Sequence, residues 1–488
     1  MGTAISEDAL LNELRFEADI YQLGQYTPVS MRDQIVRASY LVDRLWRRGI
    51  LNPTSTLSVI GGGVAGITTT LRALAYGVAQ VDMIEQGTSL MSLQAKNTSR
   101  IIDPVQYDWP ASHWEDGKWP LPEARNPRKY TAVAMMAPTD LRIQSAAEWA
   151  KKFRNLMAGV MLAPNFRFHP KRKVESWTLL PAVDKYLYLP LLSMNGEKPS
   201  SVQADVVIFA GGFGSENTCL QFEPAQDIEF QSIPFWTKDE FQESNFGMKG
   251  LKHKVLVSGS GDGALQDYVR LVTGLNTCAE VLKTVFEHPG LDSWRNKAEY
   301  VWHWEDHAQR ARRIARPEEL HRIQETLHAR YKELVENLVK SSDWNGVMSA
   351  LDHKVGRRSV DKVYLAYKCN HFSWCYGLNH LVTLIVMAYA RARSLTPGFE
   401  PGLPYRAALA TQDLGHMCHS ECWGKSHPVR LAIGVHCKHD NDVLKLWLEK
   451  DTEVLTYEGL VIRHGIDPTS VFGKKVKLRP QQIPFHLP

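Results

Sequence analysis

Three glycines, spaced as in a dinucleotide-binding turn, are the residues of this sequence with the clearest chemical meaning. Gly61, Gly63 and Gly66 lie in the run Val59-Ile60-Gly61-Gly62-Gly63-Val64-Ala65-Gly66, which follows a short apolar segment. In this pattern the first glycine permits a tight turn, the second lets the backbone approach a pyrophosphate, and the third lets a helix lie close to a strand. Phosphates would then lie at the helix N-terminus, where N–H groups and the helix dipole favour anions.

An acid follows the glycine turn at the distance where a ribose hydroxyl needs an acceptor. The run Val81-Asp82-Met83-Ile84-Glu85 predicts the next strand and ends in Glu85, 19 residues after Gly66. The alternative is a glycine turn that only packs a helix against a strand. The other residues expected in the same site are Gly62, Ala65 and Gln86.

These motifs resemble those of the two-dinucleotide-binding-domain flavoproteins, a superfamily that includes thioredoxin reductases, flavin monooxygenases and N-hydroxylases. The resemblance implies FAD, because an acid at the second strand suits the FAD adenosine in that superfamily. The run from Ala204 to Gly212 is similar to the superfamily's later strand that returns to the FAD, which usually ends Ala-Thr-Gly. It implies FAD contacts from Ala210, Gly211 and Gly212, with Gly211 standing in place of the threonine.

A second glycine motif is similar to the nucleotide fingerprint that binds NAD(P)H in the same superfamily. Gly259, Gly261 and Ala264 follow the apolar run Val255-Leu256-Val257-Ser258, and alanine in the third position is associated with NADP. No arginine lies where a 2′-phosphate would be held. A rival interpretation is that Gly261-Asp262 resembles the superfamily's terminal FAD motif, whose aspartate contacts the ribityl chain. Both interpretations stay open at this point.

The cysteine pattern narrows the reaction class. A disulfide reductase of this superfamily needs a redox cysteine pair, but no cysteine precedes Cys219 and no Cys-x-x-Cys occurs. The Phe-x-Gly-x-x-x-His signature of Baeyer–Villiger enzymes is also missing, because Phe246-Gly247 and His253 do not fit its spacing. The resemblance therefore implies an FAD-dependent, NADPH- or NADH-using, monooxygenase-like oxidoreductase acting on a small molecule. The alternatives are an amine or amino-acid oxidase and a nucleotide-binding sensor without turnover.

Histidines and cysteines outside these motifs supply two further candidates. A cluster between residues 416 and 439 includes Cys418, Cys422, His436 and Cys437, and a zinc site there would take Cys418 and Cys422 with His436 or Cys437. The spacing matches no common zinc motif, and adjacent residues of a strand point to opposite faces, so no metal site is predicted. The alternative is a polar pocket lined by histidines, with the cysteines buried as small apolar residues. His371, which precedes an apolar helix, is the candidate general acid or base, since histidine titrates near neutrality; the alternative is a structural histidine.

The elements that must position these residues alternate between strands and helices. Strands are expected at 57–60, 81–85, 204–209 and 255–258, and a helix is expected to open at Ser30 and stop at Gly49. Pro317 is expected to begin a long helix. Trp109, Trp114 and Trp119 lie in a proline-rich loop, where they would wall a substrate pocket or only anchor the loop.

The predicted fold class is α/β, a Rossmann-like FAD/NAD(P)-binding three-layer fold with a helical insertion and a C-terminal mixed region. The expected domains are a helical preface at 1–52, an FAD-binding domain at 53–250 with a loop at 101–127, a second dinucleotide-binding element at 251–290, a helical insertion or substrate region at 291–396, and a mixed region at 397–488.

Composition excludes several other classes of protein. Of 488 residues, 44% are hydrophobic and 23% charged, which is typical of a packed globular protein. The net charge of +4 is spread along the chain and does not predict nucleic-acid binding. The longest apolar run, 381–390, is shorter than the roughly 20 residues that cross a bilayer, so no membrane partner is expected. Seven cysteines at irregular spacings favour the cytoplasm, and oligomeric state stays open.

Overall fold

In the computed structural model the chain forms two compact units. Unit 1 comprises residues 1–98, 117–215 and 467–488, and unit 2 comprises residues 99–116 and 216–466. The structure describes residues 7–24, 26–27, 30–103, 109, 143–174, 186–196, 198–214, 216–221, 229–239, 241, 254–354, 362–367, 371–393, 444–447, 454–457, 459–465 and 479–480.

The described residues form a mixture of helices and strands, with strands only between residues 166 and 258 and helices only between residues 262 and 354. The helices are α1 (Glu7–Leu14), α2 (Met31–Arg47), α3 (Val64–Tyr76), α4 (Ala146–Ala158), α5 (Asp262–Thr273), α6 (Cys278–Phe286), α7 (Asp292–Glu299), α8 (Val301–Ile314), α9 (Pro317–Val339), α10 (Trp344–Lys354) and α11 (Gly377–Ala392). The strands are β1 (Arg15–Glu17), β2 (Ile20–Gln22), β3 (Tyr26–Thr27), β4 (Thr56–Ile60), β5 (Gln80–Glu85), β6 (Ile101–Ile102), β7 (Gln144–Ser145), β8 (Phe166–Pro170), β9 (Arg172–Val174), β10 (Leu187–Ser193), β11 (Ser200–Ala204), β12 (Val206–Phe209), β13 (Cys219–Gln221), β14 (Glu229–Gln231), β15 (Lys254–Ser258), β16 (Lys362–Ala366), β17 (Leu444–Trp447), β18 (Val454–Tyr457), β19 (Gly459–Ile462) and β20 (Arg479–Pro480).

The central sheet of unit 1 has, in the described residues, six strands in the order β1-β2-β12-β4-β5-β8. All neighbours from β2 to β8 run parallel, and β1 pairs antiparallel with β2. Strand β4 is buried along most of its length because both of its faces are covered. From β4 the chain proceeds to β5 on one side, while β12 lies on the other side. The carboxyl ends of β4 and β12 therefore meet at a topological switch point, where ligands of open α/β sheets bind.

Helices cover one face of this sheet, and a small antiparallel sheet covers the other. Helix α2 opens at Ser30, whose hydroxyl accepts a hydrogen bond from the Asp33 amide, and Gly49, with a φ of +67°, follows its end. Helix α2 packs on α3 through the buried Arg72–Asp43 pair, with two contacts of 2.6 and 2.9 Å. The sheet β11-β10-β9 packs through apolar side chains on the central sheet. Unit 1 is therefore a three-layer α/β structure.

Unit 2 contains a second parallel sheet, with the order β16-β15-β19. Helix α5 follows β15 after a glycine turn, as α3 follows β4 in unit 1. In unit 1 only residues 77–79 separate α3 from β5, whereas in unit 2 residues 274–361 separate α5 from β16. Helices α6 to α10 therefore form an insertion within a strand-turn-helix-strand unit. The long helix expected from Pro317 is confirmed as α9.

The expected strands at the motifs are confirmed as β4, β5, β12 and β15, and the α/β fold class is confirmed with them. The sequence predicts only helix before residue 52, but β1 and β2 form there and extend the central sheet. Their short lengths explain the omission, because three residues are too few to show alternation. In the described part of the chain, no helix is long and apolar enough to cross a membrane.

Candidate functional site

The first glycine turn, between β4 and α3, has the geometry that its spacing predicts. Gly61 has a φ of +114°, and a Cβ there would overlap the carbonyl oxygen of Ala210 at the end of β12. A Cβ on Gly66 would overlap the carbonyl oxygen of Gly61. Only glycine fits these two positions, because one needs a left-handed backbone and both need close approach of main chains.

The second glycine of the turn leaves open space at the start of helix α3. Gly63 is the N-cap residue, and a Cβ there would have nothing within 4 Å. No side chain caps this helix end. The first N–H groups of a helix have no partner inside the helix, so this end presents donors and a positive dipole to an anion. Ala65, in the first turn of α3, is buried behind it.

Glu85, at the end of β5, is fixed beside the turn by two main-chain donors. Its Oε2 accepts a hydrogen bond from the Gly62 amide at 2.6 Å, and its Oε1 accepts one from the Gly87 amide at 2.6 Å. Both oxygens retain further lone pairs, because a carboxylate accepts about four hydrogen bonds. The carboxylate is half-buried and Gln86 is exposed. A charged acceptor is thus held at the strand end where a ribose would lie.

The turn after β12 completes this edge of the sheet with small residues. The Ala210 amide donates a hydrogen bond to the Ile60 carbonyl oxygen at 2.8 Å, which continues the pairing of β12 with β4 beyond the end of β12. Gly212 has a φ of +82°, and a Cβ on Gly24 would overlap the Gly212 carbonyl oxygen. A Cβ on Gly211 would lie 2.7 Å from the Phe209 ring.

Gly24 is a site residue that the sequence interpretation missed. It follows the apolar run Ile20-Tyr21-Gln22-Leu23, so the available signal was a third short strand that ends at a glycine. With Gly24 included, the carboxyl ends of β2, β12, β4 and β5 form one edge built from main chain and one acid. Such an edge fits a dinucleotide, because the pyrophosphate needs N–H donors and close approach, while the ribose needs an acceptor.

The second glycine turn, in unit 2, repeats this arrangement. Gly259 has a φ of +137°, and a Cβ there would overlap the carbonyl oxygen of Arg463 at the end of β19. Arg463 donates its amide to Ser258 at 2.8 Å, as Ala210 does to Ile60. Gly261 is the N-cap residue of α5, no side chain caps this helix end, and a Cβ on Gly261 would have open space around it. Ala264, which replaces the third glycine, is fully buried, and its Cβ would lie 3.1 Å from a Cβ on Gly259.

The side chains around the second turn bind it to the start of helix α11. Asp262 Oδ1 accepts hydrogen bonds from the Tyr376 amide at 2.9 Å and from Asn379 Nδ2 at 2.6 Å. The Ser260 and Ser373 hydroxyls lie 2.7 Å apart. Asp262 therefore holds the N-terminus of α11, a contact that neither interpretation of the Gly261-Asp262 pair predicts.

At the second turn, the position that corresponds to Glu85 does not hold an acid. The register pairs Ile60 with Ile84 and Ser258 with Ala366, so the position that follows β16 corresponds to Glu85. Tyr367 occupies that position and is 3% exposed. The sequence left the ribose partner of this turn undefined, because residues 274–361 separate the helix from the strand that would carry it.

Buried arginines and aspartates join β19 to α5 beneath the second turn. Asp267 accepts hydrogen bonds from Arg100 and from Arg463 Nε at 2.9 Å, and Asp239 accepts two from Arg270 at 2.8 and 2.9 Å. Burial raises the pKa of Asp267, but the attraction of Arg100 and Arg463 outweighs burial and lowers the pKa to about 2. This cluster is charged at neutral pH and fixes the position of the Arg463 main chain against Gly259.

His371 is a buried side chain of unit 2 that pairs with the exposed His321. It is 4% exposed; its Nδ1 lies 2.8 Å from the Phe372 carbonyl oxygen and its Nε2 lies 2.6 Å from His321 Nδ1. Nδ1 therefore donates to the carbonyl, and Nε2 accepts from His321. Burial lowers the pKa of His371. A general acid or base role for His371 stays a prediction.

A neighbouring network was missed by the sequence interpretation. His328 Nδ1 lies 2.9 Å from His380 Nε2, the His380 ring stacks on Tyr331 at 4.3 Å, and the Tyr331 hydroxyl donates to Glu305 at 2.6 Å. The available signal was the helical spacing of His321, His328 and Tyr331 on α9.

Several predicted site residues lie outside the described part of the chain. They are Trp114, Trp119, Cys418, Cys422, His436 and Cys437. Trp109 is described and is 5% exposed. Among the described residues, no group of three or more histidine, cysteine, aspartate or glutamate side chains is placed to hold a metal ion.

No protein-family model matches the sequence, and no curated protein matches it at a significant level. Solved structures do match in part. An ornithine hydroxylase from Pseudomonas aeruginosa is 18% identical over 47% of this chain and 48% of its own, with a TM-score of 0.23. An ornithine N-hydroxylase from Kutzneria sp. 744, with reduced FAD and NADP⁺, is 14% identical over 41% of each chain, with a TM-score of 0.23.

A thioredoxin reductase from T. acidophilum matches over a larger part of the chain. It is 10% identical over 86% of this chain and 80% of its own, with a TM-score of 0.34. The present chain covers less than half the length of each of these two hydroxylases. The three matches described are two hydroxylases and a thioredoxin reductase. At these identities and TM-scores they assign neither a family nor an activity.

Proposed function

We propose that this chain is an FAD-dependent oxidoreductase that uses NAD(P)H and is monooxygenase-like, acting on a small molecule. One observation supports it above the others. The Gly61 turn packs on Ala210 at the switch point of a parallel sheet, and Glu85 is fixed beside it by two main-chain donors. These are the requirements of a dinucleotide site that holds a ribose at an acid.

FAD would be held by the residues at the carboxyl edge of unit 1. The uncapped start of α3 at Gly63 would bind the pyrophosphate, and Glu85 would accept hydrogen bonds from the ribose hydroxyls. Ala210 and Gly212 would let the main chain approach the cofactor closely. When bound, FAD would accept a hydride and pass electrons to oxygen or substrate; the protein orients the reactants and excludes water.

NAD(P)H is assigned to the glycine turn of unit 2 in this proposal. The uncapped start of α5 at Gly261 is suited to a second pyrophosphate. Tyr367 stands where Glu85 stands in unit 1, so among the described residues no carboxylate there would repel a 2′-phosphate. This difference favours NADPH over NADH.

The assignment of turnover to the monooxygenase class rests on the sequence. The chain has no Cys-x-x-Cys pair, so a disulfide reductase reaction has no local redox couple. The cytoplasmic location predicted from the cysteines remains a prediction, and so does the general acid or base role of His371.

A visible spectrum and anaerobic flavin reduction test the proposal. The purified full chain is expected to show bound FAD and to bleach when NADPH is added without oxygen. If the chain neither retains nor binds FAD, the proposal fails. Bleaching by an amine or amino acid alone would favour an oxidase. Bleaching by NADPH without substrate-dependent oxygen consumption would favour a sensor.

A further inference from the structure

A buried carboxyl group lies at the start of helix α11. Glu305, on α8, is 8% exposed and accepts a hydrogen bond from the Tyr331 hydroxyl at 2.6 Å. A Cβ on Gly377, the first residue of α11, would lie 2.6 Å from the Tyr331 hydroxyl oxygen and 3.1 Å from Glu305 Oε1. Glu305 and Tyr331 therefore fill the space beside the first residue of this helix.

A second carboxyl group contacts the same helix start from the glycine turn. Asp262 Oδ1 accepts hydrogen bonds from the Tyr376 amide and from Asn379 Nδ2, on either side of Gly377. The two acids thus lie at one helix N-terminus, where the dipole favours one negative charge but two negative charges repel each other. Asp262 is also the first residue of α5 and directly follows the N-cap Gly261.

Glu305 is poised to change its charge near neutral pH. Burial raises the pKa of Glu305 to about 7; the hydrogen bond from Tyr331 acts against this rise, and the charge of Asp262 adds to it. Burial lowers the pKa of His380, which stacks on Tyr331, well below its ordinary value. His380 is therefore neutral under the same conditions.

The thiols beside the two acids are also neutral. Burial raises the pKa of Cys278 and of Cys375, and the charge of Asp262 adds to both increases. Asp262, in contrast, acts on Glu305 as a negative charge and raises the pKa of Glu305. Negative charge added beside Asp262 would raise the pKa of Glu305 further, as the charge of Asp262 does.

We propose that nucleotide binding at the Gly259–Asp262 turn is coupled to proton uptake by Glu305. This inference rests on the proposed function, because it requires a nucleotide at that turn. Phosphates bound at the start of α5 add negative charge next to Asp262, and like charges favour the neutral form of a nearby carboxyl. By linkage, protonation of Glu305 tightens nucleotide binding by the same factor.

The expected uptake has a definite size and pH range. With a pKa of about 7, Glu305 is half protonated at pH 7, so complete protonation takes up at most about 0.5 proton per nucleotide. Uptake falls toward zero below about pH 5, where Glu305 already holds its proton. Tyr331→Phe removes the hydrogen bond that stabilises the charged form, so it is expected to move the uptake to higher pH.

Isothermal titration calorimetry of the FAD-loaded full chain with NADP⁺ tests the coupling. Titrations in Hepes and in Tris at the same pH give the proton number from the difference in apparent enthalpy. Glu305→Gln keeps an acceptor for Tyr331 but does not titrate, and Glu336→Gln changes an exposed acid on α9 as the matched control. The nucleotide's own phosphate titrates in every variant, so differences between variants isolate Glu305.

The outcomes separate the coupling from the proposed function. The inference is supported if the wild type and Glu336→Gln take up protons on binding NADP⁺, while Glu305→Gln binds NADP⁺ without this uptake. Equal uptake in the wild type and Glu305→Gln overturns the coupling and leaves the nucleotide site intact. Absence of NADP⁺ binding to the wild type overturns the nucleotide site and the coupling together. If Glu305→Gln does not fold, an unshifted pH profile in Tyr331→Phe overturns the coupling.

Discussion

The carbonyl oxygen of Ala210 occupies the place where a side chain on Gly61 would begin. The φ of Gly61 is +114°, so any other residue there meets both backbone strain and overlap with main chain. Arg463 has the same relationship to Gly259 in unit 2. In both units the glycine turn is shaped by the strand on the far side of the switch point.

Two alanine substitutions in the first turn are expected to separate folding from ligand binding. Gly61→Ala is expected to lower the free energy of unfolding by at least about 1–3 kcal/mol, because the strained φ and the overlap both oppose it. Gly63→Ala has open space and an ordinary φ of −80°, so it is expected to fold normally but bind FAD more weakly. Chemical denaturation and the flavin absorbance per chain measure the two effects. Equal stability of both variants would contradict the assigned geometry.

The Glu85 carboxylate is expected to be needed for cofactor affinity. Glu85→Ala removes the acceptor for the ribose, and it also leaves the Gly62 and Gly87 amides without their hydrogen-bond acceptor. We therefore expect FAD affinity to fall about tenfold or more. Fluorescence titration of the apoprotein with FAD gives the dissociation constant. Glu336→Ala, at an exposed position on α9, serves as the control and should bind FAD like the wild type. Unchanged affinity in Glu85→Ala would argue against a ribose at this strand end.

The buried charge cluster of unit 2 is expected to be sensitive to loss of one carboxylate. Asp267→Asn leaves three buried guanidinium groups with Asp239, and we expect it to lower the free energy of unfolding by about 3–5 kcal/mol at pH 7. Because the pKa of Asp267 is about 2 in the folded state, its contribution is present above pH 4 and is lost as the pH falls through 2. Urea denaturation measures the change. Asp292→Asn, whose carboxylate is 88% exposed, should lose little.

Glu305 is expected to make stability depend on pH near neutrality. Its pKa of about 7 in the folded state lies above the ordinary value of 4.5. Its contribution to the free energy of unfolding is therefore complete below pH 4.5 and is lost as the pH rises through 7. Relative to Glu305→Gln, the wild type should therefore lose up to about 3 kcal/mol between pH 4.5 and 8. Urea denaturation across this range tests it. If the free energy of unfolding of the two proteins changes with pH in parallel, Glu305 has an ordinary pKa in the folded state. The control Glu336→Gln should follow the wild type.

Local patterns in the sequence determined the elements that carry the first site. The spacing of Gly61, Gly63 and Gly66, the strand before them and the acid at Glu85 are all set within about 30 residues, because turn, helix start and strand obey local geometry. The helix from Ser30 and the long helix from Pro317 were predictable for the same reason, since their capping residues lie beside them in sequence.

Only the tertiary structure decided which distant residues complete each site. Gly24 joins the first site, and Arg463 and Tyr367 join the second, through parallel strand pairing across 100 or more residues, which no local pattern encodes. The approach of Glu305 to Asp262 likewise depends on where the inserted helices pack. Capping and turn formation are short-range and leave a signature in neighbouring residues, whereas strand order and helix packing depend on apolar surfaces that many sequences share.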